Sequence, residues 1–133
     1  VTDLHGNTAR LTNVEEDELL WWTEEPSWSP DGSMIAFLGD VNSGLCPELF
    51  IVLPDGSSMV RLAPDLMINH FAWSPDSTLL VVSSNGVLTP CPGCEGPTTD
   101  ERRGIYLINV IEGTFEFLSE SGYPSSPAFQ PGP

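Results

Sequence analysis

The sequence predicts an all-β protein built from repeated four-stranded antiparallel units, and three observations predict it. A motif occurs twice in full: Trp28-Ser29-Pro30-Asp31-Gly32 returns 45 residues later (28 to 73) as Trp73-Ser74-Pro75-Asp76-Ser77. It returns in reduced form 56 residues further on (73 to 129), as Phe129-Gln130-Pro131-Gly132. A second marker keeps phase with the first, a small-residue turn followed by leucine: Gly6 to Leu11, Gly56 to Leu62, Gly113 to Leu118. Between the markers lie short runs rich in Val, Ile, Leu and Phe, bounded by Pro-Asp or Asp-Gly, which is the pattern of strands joined by hairpin turns. Units repeated at such a period bury their apolar faces by stacking on one another.

Each unit divides into four strands. In the first, Pro26–Ser29 leads to Met34–Leu38, then Glu48–Leu53, then Met59–Leu62. In the second, the strands are Phe71–Ser74, Leu79–Ser83, Ile105–Ile111 and Thr114–Leu118. The second strand of each unit is apolar almost throughout, which predicts burial on both faces. The chain therefore divides into residues 1–12 (an outer hairpin), 26–63 and 70–119 (complete units), and 126–130 (the first strand of another).

The Pro-Asp-Gly step makes a turn: proline presets φ, aspartate accepts hydrogen bonds from following amides, and glycine tolerates positive φ. Pro30, Asp31 and Gly32, like Pro75 and Asp76, are read as turn-makers rather than catalytic groups. Trp28, Trp73 and Phe129 share the position before the turn, and a large flat side chain there predicts packing between sheets.

Charge narrows the partners. The chain has 19 acidic residues against 4 basic ones, for a net −15. All four basic residues are arginines (Arg10, Arg61, Arg102, Arg103), so no clustered cationic surface for nucleic acid or anionic lipid is available. No apolar run of about 18 residues predicts a membrane span. Glu15-Glu16-Asp17-Glu18 reads as a solvated acidic stretch, and no calcium-loop spacing or cofactor motif occurs. The opening at Val1, without a charged-then-apolar leader, fits a processed secreted chain or a piece of a longer one.

Cys46, Cys91 and Cys94 lie in loop-like surroundings. Cys91-Pro92-Gly93-Cys94 has too many helix breakers for a redox motif, which opens a helix. A structural disulfide in an oxidising compartment is expected, either Cys91 with Cys94 or one of them with Cys46. The alternative is a zinc site of the three cysteines with His5 or His70.

Pro26 to Phe37, read as Pro-x-Trp-Ser-Pro-Asp-Gly followed by x-x-Ile-Ala-Phe, resembles the repeat of TolB-type β-propeller proteins. Phe71 to Val81 matches with Ser77 in place of Gly, while Pro127 to Gly132 has lost the Trp, Ser and Asp. The resemblance covers nearly the whole chain and implies four-stranded propeller blades, about two complete with partial blades at both ends. It does not fix a function, because such repeats serve binding proteins, periplasmic accessory proteins and the lid domains of serine peptidases. Propellers close with 4 to 8 blades, and 133 residues supply roughly three at about 45 residues each. An unclosed array exposes apolar faces and sheet edges. The expected function is thus a non-catalytic interaction or scaffold module, extracellular or periplasmic, completed by association. Its protein partners are copies of itself in a ring or fibre, or the rest of a longer propeller chain. The alternative is the propeller portion of a TolB-like protein or of a prolyl-oligopeptidase-like hydrolase. No Gly-x-Ser-x-Gly occurs, and neither histidine lies in a triad pattern, so no catalysis by these residues is expected.

Two insertions break the repeat. From Leu11 to Trp28 there are 17 positions, against 11 from Leu62 to Trp73. The extra residues fall in Val14–Glu25, which contains Leu19, Leu20, Trp21 and Trp22, read as a sugar-stacking or partner-binding patch or as a local cover over the unit's edge. Ser84–Gly104 carries Cys91 and Cys94 and corresponds to the loop holding Cys46, so the two loops would emerge on one face.

Overall fold

Alternating apolar residues and turn chemistry produce strands throughout. The structure is a computed structural model that describes residues 5–11, 20–41, 47–89, 98–100, 103–120 and 127–130. Among these it contains nine strands and no helix: β1 Leu20–Trp28, β2 Ile35–Val41, β3 Pro47–Val52, β4 Val60–Leu62, β5 Leu66–Trp73, β6 Leu79–Thr89, β7 Thr98–Asp100, β8 Gly104–Asn109 and β9 Phe115–Glu120. They form two antiparallel sheets, one in the order β1-β2-β3-β4 and one in the order β5-β6-β8-β9, with β7 also paired to β6.

The register shows how closely the two sheets repeat. Ile35 pairs Val52 and Phe37 pairs Phe50 in the first sheet. In the second, Leu80 pairs Ile108 and Val82 pairs Tyr106. Second-strand positions thus correspond at an offset of 45 (35 to 80) and third-strand positions at 56 (52 to 108). The difference of 11 residues (56 less 45) falls between the second and third strands of the second sheet. There β6 continues to Thr89, and its far end pairs β7 through Val87, Leu88 and Thr89.

Both middle strands are buried on two faces, as their composition predicts. Ala36, Leu38, Leu49 and Ile51 meet Ile68, Leu80, Val82, Tyr106 and Ile108 in the core between the sheets. Their alternate neighbours Ile35, Phe37, Phe50 and Val52 form a second cluster on the first sheet's opposite face, with Leu11 and Met59 packed against it. Period-two alternation allows one apolar strand to serve both layers.

The first strand begins earlier than expected, at Leu20 rather than Pro26. Register shifts between Leu20 and Thr23 and between Glu24 and Ser27 absorb the additional residues as bulges, and Glu25 takes φ +51° there. A bulge accommodates an extra residue while keeping the strand paired, and Pro26 is tolerated because β1 is an edge strand. This corrects the reading of Leu20 as part of an outward patch: it is 2% exposed. Its side chain lies over Gly39, where a Cβ would come within 2.8 Å of Leu20 Cδ2. Trp21 and Trp22 are β1 residues, Trp22 half-buried, and Leu19 lies outside the described residues. Residues 127–130, expected as a lone first strand, belong to no ladder, since no neighbouring strand is available to pair with them among the described residues.

Candidate interaction site at the sheet junction

The two Trp-Ser-Pro-Asp turns are built alike, atom for atom. Ser29 Oγ donates to Asp31 Oδ1 at 2.6 Å, and Ser33 donates to the same oxygen through N (3.0 Å) and Oγ (2.8 Å). Met34 N in turn donates to Ser29 Oγ at 2.9 Å. In the second turn, Ser74, Thr78 and Leu79 take the corresponding places around Asp76, at 2.6 Å, 3.1 Å, 2.7 Å and 2.9 Å. Donors converging on a carboxylate favour its charged form. The hydroxyl of Ser29 and the donors of Ser33 accordingly lower the Asp31 pKa to about 2. Asp76 is lowered by Ser74 and Thr78, and Asp55 by Ser57 in the β3–β4 turn. Each of these aspartates holds its turn through Oδ1.

The turns are also linked to each other. Asp31 N donates to Ser77 Oγ at 3.1 Å, across 46 residues. Ser77 stands where the first turn has Gly32; both have positive φ, +63° and +72°. The indole Nε1 of Trp73 donates to the Ser27 carbonyl at 3.2 Å, and His70 Nδ1 lies 2.9 Å from Glu25 Oε1. Glu25 and His70 are themselves equivalent positions, 45 residues apart (25 to 70). Like positions of successive units thus meet at the first strands of the two sheets, β1 and β5. Sequence reasoning named the turn residues, Ser77 among them, and the tryptophans here, but gave no role to the Ser77 hydroxyl, to Glu25 or to the Ser27 carbonyl. A hydroxyl two residues after each aspartate, Ser33 and Thr78, was a legible signal for the turn network; the cross-sheet bonds leave no such mark.

The packing expectation holds for one tryptophan and is corrected for the other. Trp73 is 9% exposed and belongs to the core between the sheets, whereas Trp28 is 47% exposed. The reason is position in the stack: β1 lies against Trp73, and no described strand lies equivalently against Trp28. Phe129 is half-buried.

At the N-terminal side, Leu11 serves the second cluster as Leu62 serves the inter-sheet core. Gly6 and Gly56, the turn glycines preceding these leucines, share φ +82°. Residues 5–11 therefore repeat the outer-strand marker on the open side of the first sheet.

One further pair matters. On that side Glu48 faces Arg61, with Arg61 Nε against Glu48 Oε2. Burial pushes the Glu48 carboxyl up, opposed by the Arg61 charge and reinforced by nearby Asp40. The cysteines 46, 91 and 94, and with them the disulfide and zinc readings, lie outside the described residues. His5 is exposed. Compared with known proteins, the chain matches no family model and no curated sequence.

Proposed function

We propose that this chain is a non-catalytic, propeller-type repeat module that acts by protein association, with partners that extend its stack of sheets. The reading rests on one contrast. The same residue in the same turn is sealed where a sheet precedes it (Trp73, 9%) and open where none does (Trp28, 47%). An exposed indole beside a backbone edge is the kind of anchor that dominates protein interfaces. The internal junction also supplies a template for what would complete the site: a backbone carbonyl for the Trp28 indole, as Ser27 provides for Trp73.

The partner is either another copy, giving a ring or fibre, or further strands of a longer chain. The second option is supported by Leu11. Residues 5–11 carry the same glycine-then-leucine marker that precedes Leu62, and Leu11 packs on the first sheet. This favours a partner that supplies the remaining strands of that unit rather than a whole sheet. An extracellular or periplasmic setting follows if the cysteines pair. Light scattering on the purified chain tests the reading. Mass should rise with concentration, or on addition of the missing strands as a separate polypeptide, and Trp28→Ser should abolish the rise. A monomer at all concentrations that accepts no such polypeptide would sink it.

A further inference from the structure

The β8–β9 hairpin carries a second feature that the stacking argument does not use. A cavity of about 260 Å³ opens there, with Leu79, Leu107 and Phe115 in its wall and Glu112 and Glu116 beside them. That is below the roughly 300–1,000 Å³ of sites for drug-sized ligands, and it suits a single long side chain. Leu80 and Ile108 point into the inter-sheet core, so alternation turns Leu79 and Leu107 to the opposite face. On the same hairpin Ile111 is 84% and Leu118 51% exposed, while the Phe115 ring turns to the core face and packs edge-on against Tyr106.

β9 itself closes its sheet's order, and no described strand pairs its outer edge. Open edges with apolar side chains recruit extended segments by main-chain pairing.

Charge selects the occupant. Glu112, Glu116 and Glu120 form no ion pair among the described residues, where the pairs are Arg61 with Glu48 and His70 with Glu25. Pairing of two β9 edges from two copies would set these carboxylates against each other, which is destabilising. We propose that the β9 edge and its cavity bind an extended cationic segment of another protein. The segment adds as a strand, lays one lysine or arginine stem over Leu79 and Leu107, and sets the charge between Glu112 and Glu116.

This concerns the second sheet's free face and the β9 edge, and not the Trp28 side of the first sheet. The corresponding positions in the first sheet are Leu53 for Asn109 and Val60 for Glu116. Both remain exposed although the second sheet lies against that face. Ile51, the counterpart of Leu107, is buried in the inter-sheet core, and Met34, the counterpart of Leu79, packs against it. A sheet stacked on this face would thus cover the cavity's inner wall and leave its rim at Glu116 and the β9 edge open.

The test is fluorescence anisotropy with a labelled hexapeptide alternating valine and lysine, beside one alternating valine and glutamate. Saturable binding is expected for the lysine peptide alone. Glu112→Gln with Glu116→Gln should weaken it on the order of tenfold. Glu24→Gln with Asp65→Asn, which removes equal charge elsewhere, should leave affinity within about twofold. N-methylation of alternate peptide amides on the pairing edge should abolish binding. Equal loss in both double variants would reduce the effect to net charge and overturn the site. Retained binding of the methylated peptide would overturn strand addition, and equal binding of the two peptides would overturn both.

Discussion

Trp28 and Trp73 occupy one motif with one hydrogen-bond network, yet the first is 47% exposed and the second 9%. Local structure cannot account for the gap, because the Ser–Asp–Ser/Thr turns that follow them agree to about a tenth of an ångström in their shortest bonds. What differs is the neighbour. Trp73 has β1 beside it, with the Ser27 carbonyl to receive its indole; Trp28 has no described counterpart. In a stacked array the motif makes the turn, and the adjacent unit makes the burial.

The sharpest way to break this comparison is to truncate both side chains. Trp73→Ala should cost about 3–5 kcal/mol in urea unfolding, and Trp28→Ala about 1 kcal/mol or less. Equal losses would mean that Trp28 is covered after all.

A second contrast concerns the start of the third strands. Gly104 and Glu48 are equivalent positions (48 to 104), pairing Ser84 and Gly39 respectively. Glu48 carries a side chain that reaches Arg61, whereas a Cβ on Gly104 would overlap the Ser119 carbonyl oxygen and meet Phe117 Cε2 at 2.8 Å. Gly104→Ala should therefore destabilise by about 1–3 kcal/mol through overpacking, read from a thermal melt. A neutral result would show that β9 can move away.

Acid titration separates the turns from the buried glutamate. Asp31 has a folded pKa of about 2, below an unfolded value of about 3.9. Its contribution is present above the unfolded value and disappears as pH falls through the folded one. Asp55 and Asp76 act in the same direction. Glu48, raised by burial, acts oppositely: it favours the fold when protonated and costs stability as pH rises through its folded pKa. Stability should thus fall between pH 4 and 2 in this chain, and Asp31→Asn should flatten that acid limb. An unchanged limb would remove the turn from the account.

The smallest expected effect probes the link between turns. Ser77→Gly loses the acceptor for Asp31 N, worth about 1 kcal/mol, but relieves a serine at φ +63°, so the two changes nearly offset. Gly32→Ser should cost about 1 kcal/mol with nothing in return, since open space surrounds Gly32. A Ser77→Gly loss well above 1 kcal/mol would raise the standing of the cross-turn bond.

Reading the sequence located both turns, the middle strands and the phase of the repeat, because each is written in contiguous residues. It misjudged β1, where Glu25 and its neighbours pair as bulges instead of looping out, and so it left open whether Leu20 faces a partner or covers its own unit. Bulges depend on whether a partner strand is present to hold the extra residue, and Gly39 provides the recess that Leu20 fills. The cleft at β8–β9 also went unread. Its wall joins Leu79 of one strand to Leu107 of another and to the following turn, an adjacency set by register.

By itself the sequence determined the strands and their turns, since φ preferences, hydroxyl–carboxylate pairing and apolar alternation act over a few residues. Only the tertiary structure decided which tryptophan is sealed, which glutamate meets an arginine and which strand edge stays open. Those outcomes belong to the order in which sheets lie against one another, and burial is a property of the neighbour as much as of the residue.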